Sequence, residues 1–105
     1  MASRKKFSLI YTNTFQRHVK LVPAKHHSLI RETLENQLQY EPEEKTRNRK
    51  PLKKPVAFEA EWELRFGPEN RFRAFYRVEA DEVILLAFGE KRGNRLFIEQ
   101  EEVQP

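Results

Sequence analysis

Apolar and charged residues alternate from Glu61 to Phe66, stop at Gly67-Pro68, and alternate again from Arg71 to Val78. A period of two marks strands, and a Gly-Pro break between two such runs marks a hairpin, so residues 59–66 and 71–78 are predicted to pair. Strand geometry sends successive side chains to opposite faces. Trp62, Leu64, Phe66, Phe72, Ala74, Tyr76 and Val78 then share a core-facing side, and Glu61, Glu63, Arg65, Arg71, Arg73, Phe75 and Arg77 share the other. The unbroken apolar run Val83–Phe88 predicts a central strand buried on both faces, entered through a tight turn at Asp81. Arg95–Ile98 reads as one more short strand.

Upstream the period changes. Phe7–Tyr11 is rich in β-formers and predicts a first strand. Thr12-Asn13-Thr14 offers N-caps for a short helix through Phe15, His18, Val19 and Val22. Pro23, tolerated in a first helical turn, separates it from a second helix, in which Ile30, Leu34 and Leu38 recur at i+4 as a core-facing stripe. Tyr40-Glu41-Pro42 ends that helix. Residues 42–57 keep neither period and mix three prolines with Lys45, Arg47, Arg49, Lys50, Lys53 and Lys54, so a basic loop anchored by Leu52 is expected. Residues 1–6 form a basic tail, and residues 99–105 an acidic tail expected to fray. The predicted class is α+β, with two N-terminal helices packed on one face of a mostly antiparallel sheet of roughly 4–5 strands, and the other face open.

Composition narrows the chemistry. The 105 residues are one domain's worth, and a net charge of +4 points to a polyanionic partner, nucleic acid or an acidic protein. The chain has no cysteine, which excludes a disulfide framework and any thiolate nucleophile or metal ligand. His18, His26 and His27 fall in the helical region without an HExxH pattern, so no metal site is expected and His18 reads as an ordinary helix residue. Gly67, Gly89 and Gly93 are the only glycines, which leaves no P-loop, no dinucleotide fingerprint and no small-molecule cofactor to expect. No span approaches the ~20 apolar residues of a membrane helix, and the N-terminus does not read as a signal peptide, so a cytoplasmic protein with no membrane partner is the expectation.

The arginines carry the functional signal. Arg71, Arg73 and Arg77 alternate on one predicted strand and Arg65 lies on its neighbour. Like charges so close repel unless something anionic lies between them. Glu61 and Glu63 can supply that anion, giving a salt-bridged solvated face, or a bound phosphate can. The phosphate reading gains from Lys50, Lys53 and Lys54 before the hairpin and from Lys91, Arg92 and Arg95 after the central strand. Guanidinium groups hold phosphate but cannot act as bases. Metal-free RNA cleavage also needs proton carriers, for which Glu63, Tyr76, Lys53, Lys54 and Lys91 are candidates. Phe75 among the arginines either stacks on a base or packs beneath the basic loop or the tail.

The segments Asn48-Arg49-Lys50-Pro51-Leu52-Lys53, Trp62-Glu63-Leu64-Arg65 and Arg71-Phe72-Arg73-Ala74-Phe75-Tyr76-Arg77-Val78, with the apolar run 83–88 and Lys91-Arg92, resemble the RelE/ParE superfamily of toxins from type II toxin–antitoxin systems. The resemblance covers nearly the whole chain. It implies a RelE-like fold, an acidic cognate antitoxin and, in one branch, an endoribonuclease (mRNA interferase) that cuts mRNA in the ribosomal A site and inhibits translation. Carried over by position, it implies catalytic roles for Arg65, Arg73, Arg92 and Tyr76. RNA-binding roles fall to Lys50, Lys53, Lys54, Arg71, Phe75, Arg77, Lys91 and Arg95. Two positions depart from the nuclease pattern. Glu63 stands where several nucleases have lysine, and Leu96-Phe97-Ile98-Glu99 stands where several carry a catalytic tyrosine. The alternatives are a ParE-like inhibitor of DNA gyrase and an inactive RNA-binding homologue.

Overall fold

A computed structural model describes residues 5–56, 59–99 and 101–103. Strand β1 (Ser8–Tyr11) leads through Thr12 into helix α1 (Asn13–Lys20), and a 3-10 turn (Ala24–His26) after Pro23 runs on into α2 (His27–Leu38). Thr12 caps α1 by accepting the Phe15 N–H at 3.1 Å, and its hydroxyl donates to the Leu85 carbonyl at 2.7 Å, so the cap also ties the helix to the sheet. The rest is strand: β2 (Arg49–Val56), β3 (Ala60–Phe66), β4 (Phe72–Glu79), β5 (Glu82–Arg92), β6 (Arg95–Ile98) and β7 (Glu101–Val103). A 3-10 turn at Pro68–Asn70 joins β3 to β4.

All of these belong to one sheet of seven strands ordered β2-β3-β4-β5-β6-β7, with β1 added parallel to β5. The class is therefore α+β, but the strand count exceeds the predicted 4–5 because two segments read as irregular are paired. Residues expected to be a basic loop form β2, an edge strand. The Arg65 N–H donates to the Asn48 carbonyl at 2.8 Å, and Lys50 and Pro51 register with Glu63 and Trp62. That phase turns Pro51 toward the free edge, where a missing N–H costs no ladder bond. The acidic tail expected to fray forms β7, which pairs with β6 through Ile98↔Glu101 and Leu96↔Val103.

The helices bury Phe15, Ile30, Leu34 and Leu38 against Leu64, Phe66, Phe72, Ala74, Tyr76, Val83, Leu85 and Phe88, with Trp62 and Val78 packed at the margin. Arg49 braces the end of α2 by donating from Nη1 to the carbonyls of Gln37, at 2.7 Å, and Glu41. The Gln37 carbonyl lies in the last turn of α2, where helix carbonyls have no partner within the helix.

The opposite face, predicted to be open, carries a second apolar cluster. Ala60, Phe75, Ala87 and Ile98 are buried there with Leu52, Leu86 and Leu96 packed around them. Strands on both sides of the central pair β4–β5 contribute, Leu52 from β2 and Leu96 and Ile98 from β6. Gly89 permits the crossing of β6, since a Cβ there would lie 2.9 Å from the Phe97 carbonyl oxygen.

One edge of β5 is covered by β4 from Glu82 to Glu90. The other edge is shared by β1, whose pairing stops at Leu85, and β6, whose pairing along β5 starts at Glu90. The stretch between them would leave buried backbone donors unpaired, at a cost of about 1–3 kcal/mol each. α1 closes it: the Phe88 N–H donates to His18 Nδ1 at 3.1 Å.

Candidate phosphate-binding face

Arg65 and Arg73 are direct cross-strand partners on β3 and β4. Glu63 lies two residues before Arg65 on the same face and bridges them. Its Oε1 accepts from Arg65 Nε, and from Arg73 Nη1 at 3.1 Å. Arg73 Nε donates to the Asn70 carbonyl at 3.2 Å, so the hairpin turn holds that guanidinium as well. The Arg73 side chain is 8% exposed and that of Glu63 6%, whereas the Arg65 side chain is 36% exposed. Burial lowers the Arg73 pKa, the Arg65 charge lowers it further, and Glu63 opposes both. An arginine starts so high that it stays charged regardless. Chemically the cluster is one fixed interior ion pair with a second cation at the surface. The Arg65 terminal nitrogens have no acceptor among the described residues.

The other predicted cations disperse. Lys50, opposite Glu63 on β2, and Lys91, two residues beyond Gly89 on β5, are exposed on the Arg65 face. Lys53 is exposed on β2; the Lys54 side chain lies outside the described residues. None of Lys50, Lys53 and Lys91 is ion-paired among the described residues. Arg71 precedes β4 and turns to Glu90 at 3.1 Å. Arg92 donates to the same Glu90 at 3.2 Å and lies 4.9 Å from the centroid of the Phe97 ring. Glu90 registers with Phe72, a residue of the helix-side core, so Arg92 belongs to that side and not with Arg65 and Arg73. β5 runs on to Arg92, and its alternation separates Arg92 from Lys91. Arg77 is held by Glu59 at 3.3 Å and Glu79 at 2.9 Å, and Arg95 lies 3.9 Å from Glu102.

Two further predicted residues are interior. Tyr76 is fully buried and donates its hydroxyl to the Pro42 carbonyl at 2.6 Å, and burial pushes the phenol far above its ordinary pKa. A proton so held is not available to a leaving group. Phe75 is fully buried in the second cluster with Leu52 and Ile98, so of the two readings open for it the packing one describes this structure. Its ring has no face left for a base.

Sequence reasoning passed over His18. It is 2% exposed, with Nδ1 accepting from Phe88 and Nε2 3.5 Å from Glu99 Oε1; Arg17 donates to the same carboxylate oxygen at 2.5 Å. Burial lowers the His18 pKa, Glu99 raises it and Arg17 lowers it. Lone histidines on helices carry no pattern that marks such a contact; only the gap along β5 explains it.

Among the described residues no group of histidines and carboxylates is placed to hold a metal ion, and no helix is long and apolar enough to cross a membrane. No family model matches the chain, and no curated protein or solved structure matches it.

Proposed function

We propose that this chain is the toxin of a type II toxin–antitoxin module that acts in the cytoplasm on messenger RNA in the ribosomal A site, with an acidic antitoxin as its counterpart. One observation supports the RNA reading beyond the resemblance. Arg65, on a hairpin braced by Glu63 and Arg73, presents guanidinium nitrogens at the surface that no acceptor among the described residues takes, on the same sheet face as exposed Lys50 and Lys91, which no described residue ion-pairs. A planar two-pronged donor flanked by point charges suits a phosphodiester. In metal-free cleavage the 2′-hydroxyl loses its proton and attacks phosphorus, and the 5′-oxygen leaves with a proton. Arg65 would offset the charge that develops on the non-bridging oxygens. With Tyr76 committed to Pro42, the proton carriers this reading requires are Lys50 and Lys91.

A second reading, occupation of RNA without cleavage, is favoured by the buried Tyr76 hydroxyl and by the anionic Glu63 at the centre of the cluster. Induced expression in a bacterial host separates the two. Growth arrest with codon-dependent cuts mapped at mRNA 5′ ends is the expected result, and Arg65→Ala relieves the arrest while leaving the protein folded. Arrest without cuts selects occupation. Filamentation and DNA damage, or full toxicity of Arg65→Ala, overturn the RNA assignment.

A further inference from the structure

Glu63 is the most buried carboxylate on the arginine face, and an anion there is at first sight opposed to binding phosphate. Its contacts give it another role. Arg73 spends Nε on the Asn70 carbonyl and Nη1 on Glu63, and at 6% exposure it is part of the protein interior. Among the described residues Arg65 spends only Nε, on the same Glu63 oxygen. A guanidinium is planar, so fixing Nε fixes the direction of the edge formed by Nη1 and Nη2, and that edge is the fork that takes two oxygens of one phosphate. Without Glu63, Arg65 and Arg73 would face each other as like charges across the strands and Arg65 would swing away.

Building on the RNA reading above, we infer that Glu63 is a positioning residue that fixes Arg65 as a rigid fork for a single phosphodiester. The Glu63, Arg65 and Arg73 group keeps one net positive charge, which matches the one negative charge of a backbone phosphate. Glu63 thus exchanges raw electrostatic attraction for geometry. Arg65 in this protein is worth more than its charge, and lysine cannot replace it.

The test measures binding of a labelled ten-nucleotide oligouridylate against salt for the full chain. The set is the wild type, Arg65→Ala, Arg65→Lys, Glu63→Gln and Glu63→Gln/Arg65→Lys, each checked for folding by circular dichroism. Arg65→Lys is expected to weaken binding about tenfold, nearly as much as Arg65→Ala. Glu63→Gln removes the anion, so log Kd should depend more steeply on log salt by about 0.7. In that background Arg65 becomes mainly a charge, and Arg65→Lys should then cost no more than about twofold. If Arg65→Lys binds like the wild type, the positioning role is wrong. That arm needs only a change at a surface side chain, so it decides the matter even if Glu63→Gln does not fold. An equal lysine penalty in both backgrounds also overturns the inference. If Arg65→Ala leaves binding unchanged, the RNA reading itself falls, which is a distinguishable result.

Discussion

His18 offers the sharpest test of how this fold is closed. Replacing it with leucine keeps an apolar side chain in the space but removes the acceptor for the Phe88 N–H, at a site only 2% exposed. A buried donor left unpaired costs about 1–3 kcal/mol, so His18→Leu should lose about that much stability at pH 7.5. The pH dependence follows from the same contact. Burial holds the folded-state pKa below the ordinary 6.5, so the unfolded chain takes up a proton that the folded chain resists. Stability from this group is complete above that value and is lost as pH falls from it toward the lowered folded pKa, by at most about 1.4 kcal/mol per pH unit. His18→Asn places Oδ1 near the position of Nδ1 and does not titrate. Urea unfolding at pH 7.5, 6.5 and 5.5 reads all three. The wild type should lose stability across this range, His18→Asn should be close to the wild type at pH 7.5 but flatter below, and His18→Leu should be both weaker and flatter. If His18→Leu matches the wild type at pH 7.5, or if His18→Asn keeps the wild-type slope, the account of the gap along β5 is wrong.

Two further outcomes are expected. Tyr76→Phe breaks a buried 2.6 Å hydrogen bond to Pro42 and should cost about 1–3 kcal/mol in thermal or urea unfolding, while a folded variant keeps its toxicity; loss of toxicity would restore a catalytic role. Gly67→Ala should destabilise by about 1–3 kcal/mol from backbone strain alone, because φ +81° with ψ −174° is a region essentially reserved for glycine, and by more from contact, because the new Cβ would sit 2.4 Å from Phe72 Cδ2; an unchanged melting temperature would show that the turn relaxes.

The parts of the fold that were legible in the sequence are those specified by local periodicity. The hairpin with its Gly67-Pro68 break, the stripe Ile30, Leu34 and Leu38, and the apolar run of β5 each announce their partner face through neighbours a few residues away. β2 and β7 were missed because neither alternates. Each is a strand only because an adjacent strand supplies its ladder, and Pro51 in β2 is tolerated because it faces the free edge. In the candidate site the sequence showed an excess of arginine and supplied the carboxylates to balance it. It did not show which carboxylate meets which arginine.

The sequence by itself determined the class, the two-faced hairpin and a surplus of cations, since these follow from composition and from periods of two and 3.6. Tertiary structure decided the rest. It sorted the arginines into separate groups around Glu63, Glu90 and the Glu59–Glu79 pair, withdrew Phe75 into the interior, and left Arg65 at the surface with nitrogens that no acceptor among the described residues takes. The physical reason is that a hydrogen bond or ion pair acts over about 3 Å. Only the register of the strands brings groups far apart in the chain to that distance.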